Sequence, residues 1–311
     1  MNSGLSLLTV HAHPDDEASK GAATVARYHH EGVRTTLVCC TGGEAGDILN
    51  PALDTPEVRK SLHEVRMAEL QSSAEIIGYD KVVLLGFRDS GMPGSELNED
   101  PRCFAQAPTK EAVRALVRVL RNSRPQVVVT YPENQQSYPH PDHLRTHEIT
   151  VLAFDAAGDP GAFPDAGEPW QPLKLYYTLW SRRRVLATHE KFIELGRESP
   201  FTDQWLRRPS EDHLVTTAID CTGFAHVQLD ALRAHATQID PNSPFWFGLP
   251  REVAAEVFPY DEYILARDMT KGPNKQGAAL TRFGSRELDS STKTETLPPG
   301  LEDDLFAGLR G

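Results

Sequence analysis

Cysteine is scarce in this chain: four residues in 311, namely Cys39, Cys40, Cys103 and Cys221. Their spacing is neither that of a zinc-binding ribbon nor that of a secreted disulfide scaffold, which excludes a small stapled module. Cys39 and Cys40 end a strand-like run and read as buried structural residues. The lesser alternative, a thiol ligand or nucleophile, would make the chain a cysteine hydrolase. Long apolar runs are also missing, since none approaches the ~20 residues needed to span a bilayer. The N-terminus has neither the basic region nor the long apolar stretch of a signal peptide, so the expected location is the cytoplasm. Positive charge is in deficit, with 32 Lys and Arg against 44 Asp and Glu and a formal net charge of −12. That balance disfavours nucleic acid and acidic membrane surfaces as partners. Internal repeats are absent, and the glycines of 41–46 do not form G-x-G-x-x-G between a strand and a helix, which disfavours a dinucleotide site.

What is present is a soluble α/β pattern. Strand-like runs occur at 5–10, 35–40, 81–87 and 126–131, and helix-like periodicity at 19–31, 56–77, 110–122 and 142–157. Strands alternating with helices predict a Rossmann-like, mostly parallel sheet covered on both faces. From about residue 158 the pattern is less regular, with strands expected at 173–179 and 214–219 and a helix at 224–238. We therefore expect a metal-binding core over 1–157 and a C-terminal part, 158–311, packed on it and completing the substrate pocket. Residues 271–300, rich in Gly, Pro, Ser, Thr and Lys, read as a flexible insertion. The stretch 301–309, acidic then apolar, could dock back on the body.

Two motifs stand out: His11-Ala12-His13-Pro14-Asp15-Asp16-Glu17 and Tyr138-Pro139-His140-Pro141-Asp142-His143. Each follows an apolar, β-branched run, so each is expected in a loop beyond the carboxyl end of a strand, where open α/β sheets bind ligands. Side by side, the two loops would unite His13, Asp16 and His143. Two histidines and one carboxylate make an open zinc site, and Fe²⁺ suits the same ligands. Asp15 is then placed to take a proton from water, although Asp15 and Asp16 before a helix are also ordinary capping residues. His140 is the candidate to stabilise an oxyanion or protonate a leaving amine. Asp142 is expected to hold the His140 imidazole and raise its pKa, and the Tyr138 phenol is a further donor.

The remaining histidines receive plainer readings. His11 is a core or supporting residue, His29 and His30 sit near a helix end, and His147 supports the ligands rather than joining them. Lys20, just past the first motif, and Arg66 are candidate polar-substrate contacts. Glu44 and Asp89 follow strand ends at the same sheet edge and suit hydroxyl recognition on a sugar or cyclitol.

These motifs resemble the LmbE-like (PIG-L-type) zinc deacetylases, which cleave N-acyl groups from glucosamine-containing substrates. Further stretches extend the similarity nearly end to end. They include Ser19-Lys20-Gly21, Thr41-Gly42-Gly43-Glu44, Asp89-Ser90-Gly91, Ala234-His235-Ala236-Thr237-Gln238 and Glu302-Asp303-Asp304-Leu305-Phe306. Within the family the chain looks most like the amidase branch, which Lys20 in particular resembles. The resemblance implies that a small thiol–sugar conjugate is cut at the amide between cysteinyl and glucosaminyl-inositol of a mycothiol S-conjugate. Mercapturic acid and glucosaminyl-inositol would be released, in detoxification or in a dedicated biosynthetic pathway. The alternatives are an N-acetylglucosaminyl-inositol deacetylase and a non-catalytic sugar-binding relative. The resemblance also implies ligand roles for His13, Asp16 and His143, a base role for Asp15, oxyanion roles for His140 and Tyr138, and substrate contacts at Arg66, Glu44 and Asp89. Two departures are the loop 133–137, which is glycine-rich and shorter in the amidases, and the long 271–300 segment. The S-substituent and the oligomeric state are not legible.

Overall fold

The computed structural model describes residues 4–135, 138–271 and 300–310. Most of the expected 271–300 insertion, and residues 136 and 137 of the loop before Tyr138, lie outside the described residues. Seven strands form one sheet: β1 (Ser6–His11), β2 (Arg34–Thr41), β3 (Lys81–Phe87), β4 (Val127–Thr130), β5 (Lys174–Leu179), β6 (Thr217–Asp220) and β7 (Tyr260–Asp268). Their spatial order is β3-β2-β1-β4-β5-β7-β6. β1 to β5 run parallel, and β7 is antiparallel to both β5 and β6. Parallel strands buried on both faces read as continuous apolar runs, and every residue of β1 and of β4 is buried.

The helices are α1 (Asp16–Ser19), α2 (Ala22–His30), α3 (Pro56–Lys60), α4 (Leu62–Ile77), α5 (Thr109–Ser123), α6 (Pro141–Ala157), α7 (Arg182–Glu194), α8 (Asp203–Arg207), α9 (His226–Ala234), α10 (Pro244–Phe247) and α11 (Arg251–Val257). Apolar faces of α2, α4 and α9 close one core against the sheet, with Leu70, Ala74, Ile77 and Leu232 inside it. On the other face α5 and α6 form a second core through Val113, Leu116, Val117, Leu120 and Phe154. The α/β class with a mostly parallel sheet and helices on both faces is therefore as expected. Among the described residues, no helix is long and apolar enough to cross a membrane.

Strand order decides where a ligand can bind. From β1 the chain steps outward to β2 and β3, then returns to the other side of β1 for β4 and β5. The crevice outside the carboxyl ends of β1 and β4 is thus the point where winding reverses, and both His-Pro-Asp motifs open into it.

Three local features depart from the sequence reading. The helix expected over 19–31 breaks at Lys20-Gly21. Gly21 has φ 86°, and a Cβ there would lie 2.8 Å from the Tyr263 hydroxyl, so only glycine lets α2 pack this closely. The helix expected over 56–77 breaks at Ser61 into α3 and α4. β7 was not expected as a strand, because Asp261, Glu262 and Asp268 give it the look of a loop. Those carboxylates are buried and the first two are paired, Asp261 with Arg184 at 3.0 Å and Glu262 with Arg183 at 2.8 Å.

Residues 301–309 do dock. Glu302 exchanges backbone hydrogen bonds with Thr216 and Ala218 along the edge strand β6. Leu305 and Phe306 are fully buried, and the Tyr28 hydroxyl donates to Asp304 Oδ1 at 2.8 Å while accepting from the Leu305 N–H.

Candidate metal centre and active site

The first motif leaves β1 through a strained turn. Asp15 has φ 115°, ψ −25°, a conformation uncommon for a residue with a side chain. Its backbone is held from three directions. The Asp15 N–H donates to Glu17 Oε2 at 3.0 Å, and its carbonyl accepts from the Ala18 and Ser19 N–H groups at 3.1 Å each. Its carboxylate makes no capping hydrogen bond to α1, so the capping alternative is not realised. Asp16 turns back instead, and its Oδ2 accepts from the His13 N–H at 3.0 Å.

Pro141 opens α6 and fixes the second motif, with His140 as the preceding cap and His143 in the first turn. His143 Nε2 lies 3.2 Å from Asp16 Oδ2, and His13 Nδ1 lies 3.4 Å from the same oxygen. Ligand atoms of His13, Asp16 and His143 all fall within 4.8 Å of one another. A second set, His13, Asp89 and His140, meets the same limit. The first is better built, because His13 Nε2 is already taken: it lies 3.1 Å from Asp142 Oδ2, leaving Nδ1 for the Asp16 side.

Asp142 corrects one expectation. Its carboxylate does not hold the His140 ring. It is fully buried, and besides His13 it accepts from the Ser90 N–H at 2.9 Å and from the Ser90 hydroxyl. The His140 ring is held by backbone: its Nδ1 accepts from the Asp142 N–H at 3.2 Å. Burial and the neighbouring His13 push the His140 pKa down to about 4, outweighing Asp142 and Asp16. The expected upward shift does not occur. A neutral ring whose Nδ1 accepts must carry its proton on Nε2. In its neutral form the His140 ring therefore presents an Nε2–H donor.

The other shifts follow from the crowding of carboxylates. Burial, then the Asp16 charge, pushes Asp15 up to about 7. Burial opposes ionisation of Asp16, but His143, Lys20 and His13 hold it well below the usual range. His13 is raised well above an ordinary imidazole, because hydrogen bonds to Asp142 and Asp16 outweigh burial. Tyr138 lies at the mouth, 47% exposed, with its ring 5.3 Å from that of His143 and burial pushing its phenol up to about 12.

Lys20 points into the site, Nζ at 2.6 Å from Asp16 Oδ1. Arg66, buried, donates to the Asp47 carbonyl at 3.0 Å, and a Cβ on Gly46 would fall 2.6 Å from its guanidinium. Glu44 Oε1 accepts from the Asp89 N–H at 3.0 Å, and Asp89 Oδ2 accepts from the Ala45 N–H, locking the loops after β2 and β3 together. Glu44 Oε2 and Arg66 Nε are buried without a hydrogen-bond partner among the described residues.

Sequence reasoning missed two supporting groups. One is Ser90, the partner of Asp142. The other is Glu17, which is fully buried and accepts from Ser73 Oγ at 2.5 Å and pairs with His235 Nε2 at 2.6 Å. Gln238 braces the far side of the His235 ring at 3.0 Å. The signal was an acidic residue next to the motif and a His-x-x-Gln pattern far downstream, neither distinctive alone. His147 Nδ1 bonds the Tyr131 carbonyl at 2.9 Å, and the Tyr131 ring stacks on His143 with centroids 4.5 Å apart. His11 is fully buried against Tyr131. Cys39 and Cys40 are buried with thiols pushed up by burial, Cys40 to about 12, as structural residues should be.

Two histidines and a carboxylate beside a second, raised carboxyl gather at the switch point of a parallel sheet, a set that could hold a metal ion. The family described as PIG-L: GlcNAc-PI de-N-acetylase matches residues 8–154. The mycothiol S-conjugate amidase of Streptomyces coelicolor is 44% identical, covering 100% of this chain and 99% of that protein. The 1D-myo-inositol 2-acetamido-2-deoxy-alpha-D-glucopyranoside deacetylase of Geodermatophilus obscurus is 40% identical, with 98% of each covered. Among solved structures, N,N'-diacetylchitobiose deacetylase from Pyrococcus horikoshii superposes with a TM-score of 0.58 at 17% identity over 86% of each chain, a likeness of fold. The chain belongs to the PIG-L (LmbE-like) family, and with it to the hydrolases that act on amide bonds.

Proposed function

We propose that this protein is a metal-dependent amidase that cleaves the cysteinyl–glucosaminyl-inositol amide of mycothiol S-conjugates. The observation that carries the reading is the convergence of His13, Asp16 and His143 beside Asp15, in a chain similar from end to end to an S-conjugate amidase. The donor set fits a divalent ion, because two neutral-capable imidazoles and a carboxylate converge in a basin that also holds Asp15, Asp89 and Asp142. His13, Asp16 and His143 would hold Zn²⁺, or Fe²⁺, and the ion would supply Lewis acidity toward the amide carbonyl and toward water.

The chain's own residues do the rest. Asp15 takes the proton of the attacking water and returns it to the departing amine nitrogen, a task suited to a carboxyl near neutral pKa. His140 presents Nε2–H to the developing oxyanion, and the Tyr138 hydroxyl closes over it from the open side. Asp142, braced by Ser90, fixes the His13 ring. Arg66, Glu44 and Asp89 stand on the side assigned to the sugar–cyclitol half. Lys20 contacts the acyl half beside Asp16.

A second reading is supported by the deacetylase relatives, which match over nearly the whole chain at 40% identity. The chemistry would be the same with a small acyl group. A mass-spectrometric time course decides, with zinc-loaded protein offered a bimane S-conjugate of mycothiol and N-acetylglucosaminyl-inositol in parallel. Release of the N-acetylcysteine conjugate with little acetate supports the amidase. Preferential acetate release moves the protein to the deacetylase reading, and no release from either refutes both.

A further inference from the structure

The carboxyl edge of the sheet is not uniform. On the β2–β3 side of the switch point lie charged groups, Arg66, Glu44 and Asp89. On the β5–β7 side lies an open cavity. Its wall carries a group of aromatic rings: Trp180 just after β5, Phe192 on α7, Phe201 between α7 and α8, and Phe245 and Trp246 on α10. Trp180 and Phe245 stack face to face, 7° from parallel with centroids 5.6 Å apart, and Trp246 meets both edge-on. The Arg184 guanidinium lies 5.3 Å from the Trp180 ring centroid and is tied to Asp261.

The chamber shares part of its wall with the candidate metal cluster's surroundings. A much smaller hollow, with room for about one water, is lined by Trp180, Arg184 and Asp261, which also line the chamber, and at its other end by Lys20 and Gly21. Lys20 Nζ is 2.6 Å from Asp16 Oδ1, so the Lys20 side chain stands between this hollow and the candidate ligands.

We infer that the aromatic chamber is the subsite for the substituent on sulfur, and that it selects planar, apolar thioether groups. The inference rests on the amidase reading. In a cysteinyl amide the sulfur stands two carbons from the scissile carbonyl, on the side opposite the sugar nitrogen. With the polyol half against Arg66, Glu44 and Asp89, the acyl half points across Lys20 toward Trp180. Against these rings a flat apolar group gains stacking worth about 0.5–1.5 kcal/mol per ring pair beyond its burial.

Binding is tested apart from turnover. S-benzyl-N-acetylcysteine and S-methyl-N-acetylcysteine are titrated into the zinc-loaded full chain, following tryptophan fluorescence and calorimetric heat. The benzyl ligand is expected to bind at least about tenfold more tightly, which corresponds to 1.4 kcal/mol. Ala254→Trp, which fills the chamber from α11, and Trp180→Ala, which removes its stacking floor without adding bulk, should each erase that preference while circular dichroism shows a folded protein. In turnover, both variants should lower the ratio of kcat/KM for S-benzyl over S-methyl conjugates tenfold or more. Equal binding of the two ligands by the parent, or a preference that survives in a folded variant, overturns the subsite. If the benzyl preference and its loss are seen but no conjugate is hydrolysed, the amidase reading fails and the chamber stands. Hydrolysis without any preference fails the chamber alone.

Discussion

Replacing Asp142 by alanine tests the central geometric finding, that this carboxylate orients His13 and not His140. The change removes a charge-assisted hydrogen bond from His13 Nε2, present at 3.1 Å, and strips the buried Ser90 N–H and hydroxyl of their acceptor. A hydrogen bond to a charged group contributes about 1.5–3 kcal/mol, and each buried polar group left unpaired costs about 1–3 kcal/mol. The first loss falls on the ligand and matches the roughly 10–100-fold drop in metal affinity seen when such outer partners are removed. The second falls on stability. The assay is competition for zinc against a chromophoric chelator, run beside urea denaturation of the metal-free protein. We expect Asp142→Ala to bind zinc about 10–100-fold more weakly and His140→Ala to bind it almost as the parent does. The reverse order, with metal lost in His140→Ala and kept in Asp142→Ala, would refute the reasoning and move the ion to His13, Asp89 and His140.

The remaining predictions are briefer. Asp15→Asn should keep the fold and the metal but lose at least about 100-fold in turnover, the usual worth of a positioned base; parental kcat/KM in that variant would remove Asp15 from its role. In the metal-free protein the Asp15 carboxyl should titrate near 7 by carbon NMR, and a bound divalent ion should lower it, because positive charge favours the carboxylate. With the folded value above the unfolded 3.8, this group makes the metal-free protein less stable as pH rises from about 4 to about 7, a slope that Asp15→Asn should flatten. Glu17→Ala removes the acceptor of the Ser73 hydroxyl and the partner of His235, whose buried ring then gives up its proton, and should cost about 1–3 kcal/mol for each buried polar group left unpaired in urea denaturation; a loss under about 1 kcal/mol would mean the pair is not buried as described. Iodoacetamide should leave Cys39 and Cys40 unmodified in the native protein and activity unchanged, whereas inactivation at either thiol would revive the cysteine-hydrolase alternative.

The two His-Pro-Asp loops were legible because each combines a strand-like run with adjacent residues of ligand-type chemistry. A parallel sheet puts such loops at one edge, so the meeting of His13, Asp16 and His143 followed from strand order alone. The supporting contacts were not legible, because they join distant parts of the chain. Asp142 and Ser90 are 52 residues apart, and Glu17 and His235 are 218 apart. No periodicity encodes which carboxylate will face which ring, and the wrong partner was assigned to Asp142 on proximity in sequence. β7 escaped notice for a related reason. Its acidic residues look solvated until the arginines of α7 are brought against them. The break at Gly21 depends on the Tyr263 hydroxyl, again a contact with no local signature.

The docked segment around Phe306 bears on the order in which the molecule can be made. Phe306 and Leu305 fill the core beneath Tyr28, on α2, and Glu302 covers the outer edge of β6. During synthesis the ribosome releases residues 5–20 long before it releases 302–306. Until then the niche beside Tyr28 is open and the edge of β6 is bare, a state that invites strand pairing between nascent chains.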